Sequence, residues 1–437
     1  MQILAINPWI YDFAAYDFWL KPYGFLVILT YLKNKGVGIT YLDCLEKKTT
    51  VDNFGRGKYY SEIVSKPPLL NSVPRYFKRY GITPQEFLKL LPHQNPKFIL
   101  LTSSMTYWYW GIRQLVEIIR ERFSTKIILG GIYPTLMYHH AKANISCDYI
   151  FKNQDLQTFF ELLNVPFDFK EFYFTLPDYE HFYSHLDYVV VRTSWGCPFN
   201  CSYCAIKKLF DGFLRLPEEK IIEFISYHYS KGIRNFVLYD DAFLYSKDKV
   251  KSLLRKLETL KIKANFHTPN ALHFRFLDEE IAYLLKKLGF VNIHFGLETL
   301  NRNLQKMWGD KVTTEEVVKG IDFLKKGGFK EGEFSVYLLL GYPNQNLEEL
   351  KKEIDFLHSL GAKVSLAEYS PVPGTDLFKL YQEKLKEPLL HNNSIFIFFE
   401  DKFRDFYQMK NYVRELNKKF TPNPTLSRKG RGSGFTT

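Results

Sequence analysis

The sequence has few cysteines and no long apolar run. These two features argue against a disulfide-stabilised protein and against a membrane-spanning one. Only 5 of the 437 residues are cysteine. This small, odd number argues against a disulfide framework and for a reducing compartment. No stretch of about eighteen uncharged apolar residues occurs, so no membrane span is expected. The start, MQILAINPWIYDF, lacks a basic segment followed by a long apolar one, so no signal peptide is expected. We therefore predict a cytoplasmic protein.

Acidic residues are outnumbered, and the net charge is +12 at pH 7. Such a charge can serve nucleic-acid binding. Lysine and arginine nevertheless mix with acidic residues along the predicted helices 247–261 and 349–356. That mixture is typical of solvated helix faces. No appended RNA-binding module is visible, so nucleic acid is not indicated as a partner.

Three of the five cysteines lie on one predicted loop, at Cys197, Cys201 and Cys204. Their CxxxCxxC spacing lets three thiolates hold three irons of a [4Fe–4S] cube and leaves the fourth iron without a protein ligand. Four cysteine ligands are usual for a cluster that only carries electrons, whereas an open position lets a metal centre bind a substrate. A zinc knuckle and a reduced cysteine cluster are the alternatives. Zinc would want a fourth ligand, and the nearest downstream histidine is the distant His228.

Strands separated by helices recur through residues 1–165 and predict a parallel, doubly wound sheet. Ligands of such sheets lie beyond the carboxyl ends of the strands, which here carry Asn7, Asp43, 103–106 and the pair Gly130–Gly131. Residues 52–96 interrupt the pattern. Two interpretations of this segment stay open: it covers a ligand crevice, or it is an ordinary packed insertion.

A second alternation of strands and helices begins at residue 187 and predicts a partial (β/α)₆ barrel of TIM type. Its helices have clear 3.6-residue periodicity, as in 281–288 and 347–357. The cysteine loop follows the first barrel strand, which is the end where barrel enzymes place their chemistry.

The cysteine spacing resembles that of the radical S-adenosylmethionine (SAM) enzymes, and the aromatic Tyr203 before the last cysteine fits them too. The resemblance implies a [4Fe–4S] cluster on Cys197, Cys201 and Cys204, whose open iron chelates SAM. It also implies an electron donor such as a flavodoxin or ferredoxin, and a small-molecule substrate.

Later strand ends match further elements of that superfamily. The resemblance assigns Asp240 and Asp241 to the SAM amino group or the substrate, and Glu298 to the SAM ribose. It assigns backbone near Gly341 to the adenine. Arg302 lies on the turn after Glu298, where a guanidinium could clamp the SAM carboxylate. Ordinary structural roles compete: Asp240 or Asp241 could cap the next helix, and Glu298 could be a surface residue.

The first domain resembles the cobalamin-binding domain that precedes many radical SAM barrels. Those domains often carry an Asp-x-His-x-x-Gly loop that supplies a histidine to cobalt, and residues 1–165 contain no such loop. Cobalamin bound without a histidine ligand and a vestigial domain without a cofactor both stay open.

We therefore expect five segments along the chain: a cobalamin-binding-like Rossmann or flavodoxin-like domain (1–165), a linker (166–186), the radical SAM barrel (187–385), a helical cap (386–420) and a disordered tail (421–437). The expected function is reductive cleavage of SAM to a 5′-deoxyadenosyl radical, in the form of a cobalamin-dependent methyltransferase if cobalamin binds. The alternatives are a non-catalytic iron–sulfur binding module and a radical SAM RNA-modifying enzyme.

Overall fold

Two parallel β-sheet systems, one in each half of the chain, form the framework of the computed structural model, which describes residues 1–395 and 403–420. The predicted disordered tail, 421–437, lies outside the described residues, as do residues 396–402 of the predicted helical cap.

The first half contains a five-stranded parallel sheet with the strand order β10-β9-β8-β1-β3. Counted along the chain, its members have the order 2-1-3-4-5, which is that of flavodoxin-like sheets. The order reverses between β1 and β8, so a ligand crevice is expected beyond the ends of those two strands. The predicted Rossmann or flavodoxin-like domain is confirmed. The strands of this half are β1 (Gln2–Asn7), β2 (Ile10–Asp12), β3 (Gly38–Asp43), β4 (Lys48–Val51), β5 (Gly57–Tyr59), β6 (Ser61–Ile63), β7 (Lys78–Tyr80), β8 (Phe98–Leu101), β9 (Lys126–Leu129) and β10 (Tyr149–Ile150).

Alternate residues of β1 face two different cores, because side chains alternate across a strand. Ile3 and Ala5 face the core that contains α1 and the barrel strands, while Leu4 and Ile6 face the core that contains α3. All four are fully buried. Helices therefore cover both faces of the sheet, and α1 joins it to the barrel. The helices of this half are α1 (Tyr23–Asn34), α2 (Pro84–Leu90), α3 (Tyr109–Arg122), α4 (Ile132–Leu136), α5 (Tyr138–Asn144), α6 (Leu156–Leu162), α7 (Phe169–Tyr173) and α8 (Tyr179–Phe182).

Residues 52–96 form a small antiparallel subdomain instead of an irregular segment. Its strands β6 and β7 pair with each other, and β7 also pairs with β2 of the first loop. Arg79 is buried in this subdomain and pairs with Glu62 at 2.6 Å. These strands are only three residues long, so their alternation is too short to read from the sequence.

The second half supplies six parallel strands in two groups of three, β11-β14-β15 and β16-β17-β18. Leu272 links the groups: its amide donates to His294 O at 2.8 Å, and its carbonyl accepts from Gly296 N at 3.0 Å. The six strands are those predicted from the sequence. The strands of this half are β11 (Val189–Val191), β12 (Ser194–Gly196), β13 (Phe213–Arg215), β14 (Asn235–Leu238), β15 (Asn265–His267), β16 (Ile293–Glu298), β17 (Phe334–Leu340) and β18 (Lys363–Glu368).

Helices follow the barrel strands, and side chains cap the starts of several of them. Thr313 and Glu316 form a reciprocal capping box, and Asn346 accepts hydrogen bonds from two amides of its helix. Within the described ranges, none of the helices is long and apolar enough to cross a membrane. The helices of this half are α9 (Ile206–Leu209), α10 (Glu218–Ser230), α11 (Lys247–Thr259), α12 (Glu279–Leu288), α13 (Arg302–Met307), α14 (Thr314–Lys326), α15 (Leu347–Ser359), α16 (Asp376–Lys379) and α17 (Phe403–Lys418).

The chain after the barrel contacts both halves. His391 Nδ1 lies 2.9 Å from Thr106 Oγ1, just beyond β8. Helix α17 packs on the barrel side, where Lys410 pairs with Glu368 at 2.6 Å. This segment therefore fixes the sheet domain against the barrel.

Candidate active site

The three-cysteine loop leaves the barrel through a short antiparallel pair, β12 and β13. Gly196 closes that pair with a φ of 77°, and a Cβ there would clash with the Gly212 carbonyl oxygen. Farther along, the loop packs on Gly309, where a Cβ would lie 2.8 Å from Asn200 O. Ser202 N donates to Trp308 O at 3.3 Å. The loop is therefore held at its root and at its middle, and glycine is required at both contacts.

Cys197, Cys201 and Cys204 are brought together on this loop as free thiols. Burial first, and then the charge of the neighbouring thiolates, raises the pKa of Cys197 to about 11. A bound metal would reverse that direction, because a coordinating thiol is deprotonated. Among the described residues, no three histidine, cysteine, aspartate or glutamate side chains converge on a single metal-ion position.

Asp240 and Asp241 follow β14 and have different surroundings. Asp240 is buried and accepts hydrogen bonds from Thr193 N, Thr193 Oγ1 and Ser194 Oγ, so it ties β14 to the root of the cysteine loop. Asp241 pairs with Arg192 at 2.8 Å and lines the cleft described below. Neither caps the next helix in this arrangement. Asp241 has the geometry of a ligand-facing residue, whereas Asp240 has that of a structural tie.

Glu298 ends β16 next to the cysteine loop, with a φ of 69° at a bulge in the strand pairing. Its carboxylate pairs with Lys311 Nζ at 2.7 Å, and both side chains are nearly buried. Burial alone would lower the pKa of Lys311, but the charges of Glu298 and then Cys201 raise it. The Tyr203 ring lies 5.8 Å from Lys311 Nζ. A carboxylate and an ammonium group thus stand directly beside the predicted cluster ligands.

Arg302 and Gly341 are placed less favourably for the roles assigned to them. Arg302 is exposed and its guanidinium pairs with Asp310, so Lys311 is the cation that lies beside Glu298. The Gly341 amide donates to Gln345 Oε1 at 2.6 Å. The backbone at Gly341 is held by that bond, and its cofactor role stays a prediction, as does that of Arg302.

His273 is a site residue that the sequence did not single out. Its ring lies 4.8 Å from that of Phe199 on the cysteine loop. It is buried, and its Nδ1 has no hydrogen-bond partner among the described residues. Burial lowers its pKa well below the usual range. Only its position after a barrel strand could have pointed to it.

A cleft lies between the two domains, with an empty volume of about 1770 Å³ including its open mouth. One wall is the carboxyl edge of the first sheet, including Asn7, residues 102–105 and the pair Gly130–Gly131. The facing wall includes Arg192, Trp195, Tyr239 and Asp241 of the barrel. The predicted crevice of the doubly wound sheet therefore opens toward the barrel, next to the cysteine loop.

Comparison with known families is consistent with this arrangement. Residues 191–357, which include all three loop cysteines, match the Radical SAM superfamily. The chain contains a radical SAM domain. The domain indicates an enzyme, and the superfamily that it matches implies a [4Fe–4S] cluster and SAM.

The relatives of the radical SAM domain include transferases. An uncharacterized methyltransferase of Pyrococcus horikoshii is 27% identical over 196 residues, 44% of this chain and 41% of that protein. An uncharacterized protein of Methanocaldococcus jannaschii is 24% identical over 369 residues, 67% of this chain and 72% of that protein. The ribosomal protein uS12 methylthiotransferase RimO of Clostridioides difficile is 22% identical over 211 residues, 46% of this chain and 45% of that protein. The chain thus spans less than half the length of the Pyrococcus and Clostridioides proteins.

Two solved structures share the two-domain fold. The radical SAM methyltransferase TsrM of Kitasatospora setae, solved with tryptophan and a SAM analogue, has a TM-score of 0.65 and 15% identity, covering 88% of this chain and 76% of that one. The cobalamin-dependent radical SAM enzyme OxsB, solved with aqua-cobalamin and SAM, has a TM-score of 0.57 and 13% identity, covering 91% and 56%. At these low sequence identities, the structural similarity establishes the fold alone.

Proposed function

We propose that this protein cleaves SAM reductively at a [4Fe–4S] cluster held by Cys197, Cys201 and Cys204, and that it transfers a methyl group with the help of cobalamin bound in the cleft. The observation that carries this proposal is the cleft itself. It joins the strand ends of the first sheet to the barrel wall beside the cysteine loop, so that two cofactors could meet in one enclosed space.

The chain's own residues would divide the work on SAM. When bound, a reduced cluster supplies one electron to the SAM sulfonium, which breaks into methionine and a 5′-deoxyadenosyl radical. The Glu298 carboxylate would accept hydrogen bonds from ribose hydroxyls while it stays paired with Lys311. Phe199 and His273 pack against each other on one side of the loop.

The wall of the cleft at the sheet edge would let a large, flat cofactor lie directly against the main chain. Gly130 presents no side chain, and there is free space beside it: a Cβ there would have no neighbour nearer than Phe151 O, at 4.0 Å. Ser103 Oγ donates to Gly130 O at 2.8 Å and accepts from Tyr133 N at 3.2 Å. These two bonds hold the carboxyl edge of the first sheet in place. No histidine is among the residues that line the cleft. Cobalamin would therefore bind without a protein ligand to its cobalt, and methyl transfer is the chemistry it would supply.

Three further points belong to the same proposal. The enzyme needs a one-electron donor, and the net charge of +12 suits an acidic carrier such as a flavodoxin or ferredoxin. A small molecule is the substrate class that an enclosed cleft favours. A cytoplasmic location follows from the need to keep the thiols reduced.

Anaerobic reconstitution with iron, sulfide and cobalamin tests the proposal. The wild-type protein should bind about four irons per chain, as a cubane requires, and form 5′-deoxyadenosine from SAM only with a reductant. It should also take up cobalamin, seen by its visible absorption. A protein with no SAM cleavage would contradict the cluster assignment. Cleavage without cobalamin uptake would leave the cluster in place and remove cobalamin-dependent methyl transfer.

A further inference from the structure

The ends of two short helices, α13 and α16, meet at the cysteine loop. Ser202, which lies between Cys201 and Cys204, donates its amide to Trp308 O at 3.3 Å, and its carbonyl accepts from Leu377 N at 3.1 Å. Trp308 directly follows α13, and Leu377 is in the first turn of α16. Both helices therefore contact the main chain of a residue between two predicted cluster ligands.

Two large apolar side chains are exposed beside these contacts. Met307 is 68% exposed and Leu380 is 66% exposed. Met307 precedes Trp308 in the chain, and the Leu380 amide donates to Leu377 O at 3.3 Å, one turn farther along. Each side chain is thus attached within about one helical turn of a contact with Ser202. Exposed apolar side chains that lie near one another mark interaction surfaces.

Free positive charges lie next to Met307 and Leu380. Lys306 and Lys208 are exposed, and neither forms an ion pair with a described residue. The stem of Lys208 lies against Gly374, where a Cβ would be 3.6 Å from Lys208 Cγ. Lys208 is therefore close to the start of α16, while Lys306 is the neighbour of Met307 in α13.

The acidic side chains of these two helices are already neutralised. Asp310 pairs with Arg302, and Asp376 pairs with Lys379 at 2.7 Å. The hydrogen bond from Lys379, and then the charge of Lys208, lowers the pKa of Asp376. Asp211, beyond α9, is an exposed acid without an ion pair in the described ranges, and the free lysines outnumber it. The uncompensated charge of the surface is therefore positive.

A pair of aromatic rings connects this surface to the cysteine loop. Trp308 is buried, and its ring centre lies 5.9 Å from that of Tyr203 in an edge-to-face arrangement. Tyr203 directly precedes Cys204. An electron that enters at this surface would therefore need to cross only the loop and the rings packed beneath it.

We propose that the surface around Met307 and Leu380, with Lys208 and Lys306 at its edge, is the docking site for an acidic one-electron carrier protein. This inference rests on the proposed function, which requires such a donor. The carrier would be oxidised by one electron, and the site would take that electron up without any bond forming or breaking. Redox encounters bury less than about 1,200 Å², so a small apolar centre with a charged edge is sufficient.

An acidic protein fits this surface better than the alternatives do. A second copy of the chain has the same net charge of +12 and would bring like charges together at the lysines. RNA would contact the lysines through its phosphates, but phosphates would leave Met307 and Leu380 without an apolar partner. A protein with acidic residues around an apolar centre meets both requirements.

Calorimetric binding of a purified flavodoxin, and separately of a purified bacterial ferredoxin, to the full-length reconstituted protein tests the surface. At least one carrier should bind, with an affinity that falls as salt is added. Lys208→Glu/Lys306→Glu should weaken that binding about tenfold or more. Met307→Ser/Leu380→Ser should also weaken it, but the dependence on salt should remain.

Lys89→Glu/Lys319→Glu is the matched control. It changes the net charge by the same amount at exposed lysines of α2 and α14, and it should bind the carrier like the wild type. Absence of binding by both carriers, or equal weakening in the control, would overturn the docking site. Salt-sensitive binding of RNA but of neither carrier would overturn it in favour of a nucleic-acid surface.

SAM cleavage with two kinds of reductant separates this inference from the proposed function. Dithionite is small and needs no docking surface, so Lys208→Glu/Lys306→Glu should form 5′-deoxyadenosine at the wild-type rate with dithionite. With the reduced carrier, the rate should fall to about a tenth. A carrier-driven rate that the charge reversal leaves unchanged, or an equal loss with dithionite, would overturn the docking site. A wild-type protein that cleaves SAM with neither reductant would overturn the proposed function, while the binding measurement still decides the docking site.

Discussion

Lys311 and Glu298 form a nearly buried ion pair, 2.7 Å from Nζ to Oε2, on the barrel side of the cysteine loop. Lys311 Nζ would also lie 2.8 Å from a Cβ at Gly296, so the lysine fills the space that this glycine leaves free. The pair joins the end of β16 to the segment after α13. Glu298 therefore reaches the site with its charge compensated and its direction fixed.

Removing one member of this pair should cost more stability than removing an exposed pair. Lys311→Met leaves the Glu298 carboxylate buried without a partner, and we expect a loss of about 3 kcal/mol in the free energy of unfolding. The double variant Lys311→Met/Glu298→Gln should recover part of that loss, because no uncompensated charge remains. Urea unfolding of the wild type, Lys311→Met, Glu298→Gln and the double variant measures the coupling between the two side chains.

Arg302→Met is the matched control for the charge change. The ion pair of Arg302 with Asp310 is exposed, and such pairs contribute little to stability. We expect no measurable change in unfolding and no loss of SAM binding. Equal effects of Arg302→Met and Lys311→Met on SAM affinity would contradict the assignment of Lys311, rather than Arg302, to the site.

The sequence predicted the parts of this site that depend on local pattern. The three cysteines, the six barrel strands and the strand-end positions of Asp241 and Glu298 all follow from motif spacing and strand periodicity. Contacts between distant segments could not be predicted in this way. Lys311 meets Glu298 only because of the bulge at the end of β16.

The antiparallel subdomain is a second feature that the sequence could not predict, again because it depends on a contact between distant segments. Its strand β7 pairs with β2, nearly seventy positions earlier in the chain, in the register Ile10 to Tyr80. The pattern of apolar residues within 52–96 contains no information about such a distant pairing partner. Asp240 was similarly ambiguous, because a carboxylate after a strand could bind a ligand or tie a loop. Its bonds to Thr193 and Ser194 show the second use.

Cys201→Ala should lose the cluster and SAM cleavage while the protein stays folded. The loop is held by β12, β13 and Gly309 independently of any metal, so loss of the thiol should affect local order only. Iron content, 5′-deoxyadenosine formation and the melting temperature are the measurements. Cys147→Ala is the control, since this cysteine lies outside the loop and is also a free thiol. Iron near the wild-type level in Cys201→Ala would show that Cys201 is not a ligand.

The adjacent glycines at the cleft should respond differently to substitution. Gly131 has a φ of 100°, and a Cβ there would clash with Ser103 O. Gly131→Ala should therefore destabilise the sheet edge, by about 1 to 3 kcal/mol from backbone strain alone, and affect cobalamin uptake only through that damage. Gly130→Leu has room for its Cβ and should leave the melting temperature unchanged while it obstructs the cleft wall.

Cobalamin uptake and iron content separate the two effects. Gly130→Leu should lose cobalamin absorption and keep its iron, because the cysteine loop is on the opposite wall. Uptake that Gly130→Leu leaves at the wild-type level would place cobalamin outside this cleft wall.

Acid should destabilise the protein partly through His267, which is buried where the barrel meets the first domain. The His267 ring stacks on Trp19 at 4.5 Å, and its Nε2 lies 3.2 Å from Asn235 Oδ1. Its Nδ1 has no hydrogen-bond partner within the part of the chain that the structure describes. Burial first, and then the charge of Arg56, lowers the pKa of His267 from 6.5 to about 3. His267 therefore becomes protonated in the unfolded chain near pH 6.5, whereas in the folded protein it stays neutral until the pH approaches 3. The stability contributed by this group is complete above that pH and is lost as the pH falls toward 3.

The loss attributable to His267 should be about 2 kcal/mol between pH 6.5 and pH 5, at about 1.4 kcal/mol for each pH unit. His267→Phe removes the titrating group and keeps a ring against Trp19. The difference in unfolding free energy between wild type and variant should therefore shrink, or reverse in favour of the variant, as the pH is lowered. Urea titrations at pH 7.5 and pH 5.0, with thiols kept reduced, give that difference directly. A constant difference at the two pH values would show that His267 binds its proton equally well in the folded and unfolded states.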